Sequence, residues 1–117
     1  MSTLKGNDGR YISVALASGS SNDPVVASGI AGVLTEDVGY TTTGYATLQT
    51  FGVVEVSVKA IDTVGDSAVA LGDTIYFTAV DDPVLNKKNT GAGFGKALGT
   101  VTAGETSTIP VFIVQGL

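Results

Sequence analysis

The stretch NTGAGFGKALGT, residues 89–100, has the glycine content of a phosphate-binding loop, and a lysine directly follows one of its glycines. A P-loop needs Gly-x-x-x-x-Gly-Lys-Ser/Thr, because its backbone N–H groups surround the phosphates, its lysine neutralises their charge and its hydroxyl binds Mg²⁺. Gly95 and Lys96 match this pattern, but Thr90 stands at the position of the first glycine and Ala97 at that of the hydroxyl. The dinucleotide spacing Gly-x-Gly-x-x-Gly fails as well. The stretch therefore does not predict a nucleotide site.

The other residues that could do chemistry give no better pattern. Cysteine and histidine are absent, so the chain has no thiolate nucleophile and lacks the commonest general base and transition-metal ligand. The acidic pairs at 36–37 and 81–82 lack the Asp-x-Asp-x-Asp-Gly spacing of a calcium loop and are typical of solvated turns. Asp73 suits a turn cap before a strand, and the lysines at 87–88 suit a solubilising loop tip. We predict no catalytic, cofactor-binding or metal-binding residue, and hence no enzyme.

Charge and hydropathy exclude further classes. The net charge is −5, which argues against nucleic-acid binding, because that needs a basic patch to displace counterions from phosphates. Residues 1–10 carry Lys5, Arg10 and Asp8, a net charge of +1, so the rest of the chain carries −6. No apolar run approaches the roughly 18 residues of a membrane span, and the first ten residues lack the apolar core of an export signal. We expect a soluble protein, made in the cytoplasm, that has no membrane contact.

The composition predicts an all-β fold. Sixteen glycines and only 15% charged residues are typical of β-rich domains with tight turns. Residues 1–10 have no hydrophobic period, which predicts an extended N-terminal arm followed by a single β domain at 11–117. Seven or eight short strands at intervals of about ten residues indicate a small barrel or a sandwich. We place strands at 11–17, within 39–62, and at 74–80, 94–102 and 107–116. Two further short strands with a bend between them are expected within 25–37, where a short helix is the alternative.

The connections carry more specific expectations. A short helical turn is expected at 67–71, within the connection 63–73. A polar hairpin loop is expected at 81–93, with its tip at 89–93. Pro110 cannot donate a ladder hydrogen bond, which predicts that its strand begins late or lies at a sheet edge there.

Over most of residues 24–117, four segments in order resemble one known family. They are DPVVASGIAGVLTEDV, GYATLQTFGVVEVSVKA, ALGDTIYFTA with its Gly-Asp-x-Ile-Tyr-Phe pattern, and GKALGTVTAGETSTIPVFI. In order and spacing they are similar to the small capsid cement, or head decoration, proteins of tailed bacteriophages. The resemblance implies a barrel-like or β-tulip-like body that binds the outside of an expanded capsid. It further implies a homotrimer on the major capsid protein, with no cofactor and a place on the virion exterior.

The same resemblance implies a role for the N-terminal arm, because arms of such proteins reach onto the major capsid protein. The residues of this chain expected to make that contact are Ser2, Thr3, Leu4, Lys5 and Arg10. An arm that orders only on binding gains main-chain hydrogen bonds at a partner's sheet edge. The arm and the 81–93 loop are longer than in the common form of the family, which leaves the contact surface and the trimer open.

Two other functions fit the same pattern. A tail or baseplate β-module would have the same composition and an equal lack of catalytic groups. A carbohydrate- or ligand-binding β-sandwich would show exposed aromatic residues around a groove, and the candidates are Tyr11, Tyr40, Tyr45 and Tyr76.

Overall fold

A computed structural model describes residues 11–40 and 43–117, and these residues form nine strands and no helix. The all-β fold is thereby confirmed. The strands are β1 (Tyr11–Ala15), β2 (Pro24–Ala27), β3 (Ile30–Leu34), β4 (Tyr45–Gln49), β5 (Val53–Lys59), β6 (Thr74–Phe77), β7 (Leu85–Asn86), β8 (Ala92–Ala97) and β9 (Thr106–Ile113). The division into an arm at 1–10 and one β domain at 11–117 stays a prediction, since the arm lies outside the described residues.

The strands form two units, a sheet and a barrel. The first four strands make a sheet in the order β1-β4-β3-β2, and the other five make a closed barrel in the order β5-β7-β6-β8-β9. All pairings are antiparallel except that of β5 with β7, where Val58 lies opposite Leu85. Closing a sheet on itself removes its edge strands, so the edges that remain belong to β1 and β2 of the open sheet.

Buried and exposed side chains alternate along β5 and β1, as the alternation of apolar and polar residues in the sequence predicts. In β5 the side chains of Val56 and Val58 are buried, whereas those of Val53, Glu55 and Ser57 are exposed, as the period of two predicts. In β1 the side chain of Val14 is buried and the exposed positions alternate with it. Each strand thus presents one face to a core and one to solvent.

The bend predicted within 25–37 is a tight hairpin between β2 and β3. Ala27 pairs with Ile30, and the two residues between them, Ser28 and Gly29, both have positive φ, 54° and 78°. Two successive left-handed residues are the signature of a type I′ turn, whose twist matches that of the flanking strands. The helix alternative for this segment is wrong, because the backbone groups of β2 and β3 pair with each other in an antiparallel ladder.

Strand β3 joins the two units. Its Ala31 and Val33 belong to the barrel's hydrophobic core, while Leu34 belongs to the core of the sheet. The side-chain amide of Gln115, after β9, accepts a hydrogen bond from the Ala31 N–H at 2.9 Å and donates to the Ala31 carbonyl at 2.7 Å. It also donates to the Thr50 carbonyl at 2.9 Å, so one amide ties the end of the chain to β3 and to the start of the barrel.

The glycines of the 89–100 stretch serve packing. Gly95 is buried in β8 opposite Ile113 of β9, and a Cβ on it would collide with the backbone carbonyl of Phe112. Because a backbone atom cannot move aside as a side chain can, only glycine allows β8 and β9 this close an approach. Gly95 therefore has a structural role in the β8–β9 pairing.

Two expectations about the connections are wrong. Residues 67–71 form no helical turn, because the backbone of Val69 pairs with that of Val101. The 81–93 loop contains β7, and its expected tip at 89–93 is shortened because β8 already begins at Ala92.

Pro110 lies inside β9, so its strand does not begin late. The β8–β9 ladder ends at Ala97 and Val111, however, so Pro110 pairs with β5 alone and lies at an edge on its other side, as the second alternative expected. Its carbonyl accepts a hydrogen bond from the Leu98 N–H at 2.9 Å. The N and C=O of a strand residue point to the same side, so the missing N–H faces the end of β8 and the ladder to β5 loses no bond.

We predict that Gly95→Ala lowers the free energy of unfolding by about 1–3 kcal/mol, because the methyl group overpacks the β8–β9 contact. Gly65→Ala is the matched control, since Gly65 has no positive φ and no atom lies within 4 Å of the place its methyl group would take. Its effect should stay within about 0.5 kcal/mol. Urea unfolding of the two variants measures both, and equal midpoints would contradict the proposed packing role.

Candidate functional site

The predicted capsid-contact residues cannot be placed on the fold. Ser2, Thr3, Leu4, Lys5 and Arg10 all lie outside the described residues. The described chain begins at Tyr11, the first residue of β1. The structure does describe the surface around Tyr11.

That surface starts with an open sheet edge along β1. The Leu16 N–H donates to the Gly44 carbonyl at 2.9 Å, and the β1–β4 register continues from this pair. In an antiparallel ladder alternate residues bond to the same neighbour, so the backbone groups of Tyr11, Ser13 and Ala15 point away from β4. No described strand pairs with β1 on that side. Such an edge is a template for strand addition.

A small apolar patch lies on the outside of the barrel. It consists of Phe51, Val53 and Phe112. Phe51 packs edge-on against Phe112 with ring centroids 5.8 Å apart, and Val53 lies opposite Phe112 in the β5–β9 ladder. Phe51 and Val53 are each 53% exposed. The three side chains thus form an apolar surface beside the start of β5.

A cleft between the sheet and the barrel follows the patch along β5. Its volume is about 540 Å³. The walls come from the β1–β2 loop and β2 on one side, and from β5, β9 and the β6–β7 loop on the other. Apolar walls are provided by Val25, Phe77 and Val84, and polar ones include Ser57 and Thr108. The hydroxyls of Ser57 and Thr108 lie 3.4 Å apart.

The charged residues of the cleft are all acidic. They are Asp23, Glu55 and Asp82, and the described lining includes no lysine or arginine. Asp23 accepts a hydrogen bond from the Ser20 N–H at 2.9 Å, which fixes it within its own turn. Glu55 is exposed on β5 and Asp82 on the β6–β7 loop. These carboxylates come from three distant parts of the sequence, so only the outward position of Glu55 could have been foreseen.

The 81–93 loop is held by a buried asparagine. Asn86 is fully buried, and its Nδ2 donates to Asp81 Oδ2 at 2.9 Å while its Oδ1 accepts from the Lys88 N–H at 3.0 Å. Lys88 Nζ lies 2.7 Å from Asp81 Oδ2. The Lys88 ammonium, with the Asn86 hydrogen bond, holds the pKa of Asp81 below its ordinary 3.8.

A second ion pair anchors the connection between β5 and β6. Lys87 Nζ contacts Asp73 Oδ2 at 3.2 Å and donates to the Ala68 carbonyl at 2.8 Å. Asp73 accepts the Ala70 N–H at 2.8 Å, so the predicted turn cap is confirmed. That backbone bond first, and Lys87 second, lower the pKa of Asp73. The expectation that residues 87–88 form a solubilising tip is wrong, because both ammonium groups are half-buried and ion-paired.

Other kinds of site find no support in the described residues. Their carboxylates form no group of three that could hold a metal ion. None of their segments is a helix with the length and apolarity needed to cross a membrane. Tyr11 and Tyr45 lie at opposite ends of the β1–β4 ladder, about 14 Å apart along the strand. None of the four tyrosines lines the cleft.

Comparison with known proteins gives no further evidence about these surfaces. No protein-family model, curated protein or solved structure matches the chain.

We predict that Asn86→Ala costs about 1–3 kcal/mol of stability, because it leaves the Lys88 N–H without its acceptor in a buried position. The exposed Asn89 provides the control, and Asn89→Ala should change the unfolding midpoint little. Equal thermal midpoints for the two variants would show that the buried amide does not hold the loop.

Asp73 should make the protein acid-sensitive. Its pKa in the folded state lies below the unfolded value, so the native state binds fewer protons and the stabilisation is lost as pH falls through that folded pKa. Asp73→Asn should therefore be less stable than the parent at about pH 6. The difference in free energy of unfolding between the two proteins should be smaller at about pH 2.5. Denaturant titrations at both pH values measure this difference. A difference that is the same at both pH values would contradict the assignment of acid sensitivity to Asp73.

Proposed function

We propose that the chain is a virion structural protein that binds the outer surface of a phage capsid and stabilises it by bridging major capsid protein subunits, without catalysis. The starting point is the family resemblance of residues 24–117. The observation that carries the proposal is the open edge of β1, which directly continues the predicted capsid-contact arm. An arm and an adjoining strand edge form one continuous surface for main-chain pairing.

Strand addition supplies the affinity in this proposal. The backbone groups of Tyr11, Ser13 and Ala15 are available for hydrogen bonds to an extended partner segment. The side chains on that strand are small or amphipathic, which suits a partner read mainly through its main chain. Lys5 and Arg10 give residues 1–10 a net positive charge, which favours acidic positions on a partner.

A trimer strengthens such contacts. The patch of Phe51, Val53 and Phe112 offers an apolar contact to a second subunit. Three linked arms bind with a higher effective concentration than one, so weak individual contacts suffice. The acidic body also suits the capsid exterior, away from the packaged DNA.

The tail or baseplate module would use the same edge and patch, and differs only in where the protein sits on the particle. Cryo-EM of the virion separates the two by locating the density. A carbohydrate-binding function would instead give hits on a glycan array through its exposed tyrosines.

Deleting residues 2–10 should lower the occupancy of expanded capsids at least about tenfold, because the arm contacts and their avidity are lost together. Co-sedimentation with capsids of the encoding phage measures occupancy, and circular dichroism checks that the body stays folded. The matched control is a full-length chain with residues 2–10 in shuffled order, which keeps composition and charge. Full occupancy by the folded, truncated protein would overturn the role of the arm.

A further inference from the structure

We propose that the cleft between the sheet and the barrel binds residues 1–10 of the same chain when the protein is free, with Lys5 against Glu55 and Asp82. The inference concerns the protein without its capsid, so it stands or falls independently of the proposed function. It makes the cleft a binding site for a cationic extended segment.

The acidic groups of the cleft are available for such a ligand. Within the described residues, the side chains of Glu55 and Asp82 have no hydrogen bond or ion pair, whereas Asp81, the neighbour of Asp82, is occupied by Lys88 and Asn86. Two carboxylates facing one cleft repel each other, and a cation between them removes that repulsion.

The other cations of the chain are largely engaged elsewhere. Lys87 pairs with Asp73, Lys88 pairs with Asp81, and Lys96 donates to the Thr74 hydroxyl at 2.6 Å. Lys59 lies near Asp81 and lowers its pKa. The remaining basic residues are Lys5 and Arg10, which stand in the one segment with net positive charge.

The arm is long enough to reach the cleft. The described chain starts at Tyr11, which lies opposite Gln49, about 5 Å away in the ladder. Glu55 follows Gln49 by six residues, and Lys5 precedes Tyr11 by the same number. Six extended residues span about 20 Å, so Glu55 lies at most about 25 Å from Tyr11, and the extended segment together with the lysine and glutamate side chains covers that distance.

The path between these points is suited to an extended segment. Val53, Glu55 and Ser57 point outward from β5 and succeed one another about 6.7 Å apart, leading from the apolar patch into the cleft. Beside Lys5, Leu4 matches the apolar wall of Val25 and Val84. A cavity of about 540 Å³ takes a few side chains rather than a whole peptide.

Paramagnetic relaxation in the full-length protein tests the proposal. The chain has no cysteine, so Thr3→Cys allows a single nitroxide to be attached next to Leu4 and Lys5. We expect the nitroxide to broaden the backbone amide signals of Glu55, Ser57, Val84 and Thr108 selectively, relative to the same sample with the nitroxide reduced. Absence of broadening at these amides would overturn the proposal.

Charge variants test the chemistry. The double variant Glu55→Gln, Asp82→Asn should lose most of the broadening, as should about 0.5 M salt, which shortens the range of charge attraction. Glu105→Gln is the matched control, because Glu105 is exposed and lies outside the cleft. Broadening that survives the double variant would overturn the charge-based docking.

A mixed sample assigns the arm to its own chain. ¹⁵N-labelled protein without the nitroxide is mixed with unlabelled protein that carries it. The proposal expects no broadening of the cleft amides in this mixture. Broadening there would mean that the arm of a second copy fills the cleft, and would overturn docking within one chain.

Discussion

The fold depends on closing the barrel through β7, a strand of only two residues, Leu85 and Asn86. Leu85 lies opposite both Val58 of β5 and Phe77 of β6, so it joins the two strands that would otherwise be edges. Asn86 is buried beside it with its amide hydrogen-bonded, which makes the polar group tolerable and fixes the loop around it. With the barrel closed, the open edges of the described fold are confined to the sheet.

This division of the chain explains where its contact surfaces lie. The strands of the barrel hydrogen-bond to one another, so the barrel surface consists mainly of side chains. These side chains form the patch and one wall of the cleft along β5 and β9. The sheet rests on the barrel through Ala31 and Val33 and keeps β1 free at its far edge. The described fold thus has an open strand edge on the sheet and an exposed side-chain surface on the barrel.

Sequence reasoning succeeded where the signal was local. Val56 and Val58 are buried by the alternation that predicted them, and the hairpin at Ser28 and Gly29 follows from glycine at a bend. It failed where a distant partner decided the outcome. Val69 is extended because Val101 pairs with it, and Lys87 is half-buried because Asp73 and the Ala68 carbonyl surround it.

The sequence by itself determined the all-β class, the faces of the strands and the failure of the phosphate-loop pattern at Thr90 and Ala97, because these depend on neighbouring residues and a period of two. Only the tertiary structure decided that Gly95 lies against the Phe112 backbone and that Asp23, Glu55 and Asp82 share a cleft. These contacts join segments distant along the chain, and which segments meet is set by strand order and core packing, which periodicity does not encode. Gly95, one of the glycines that suggested a nucleotide site, is therefore explained by the approach of β8 to β9.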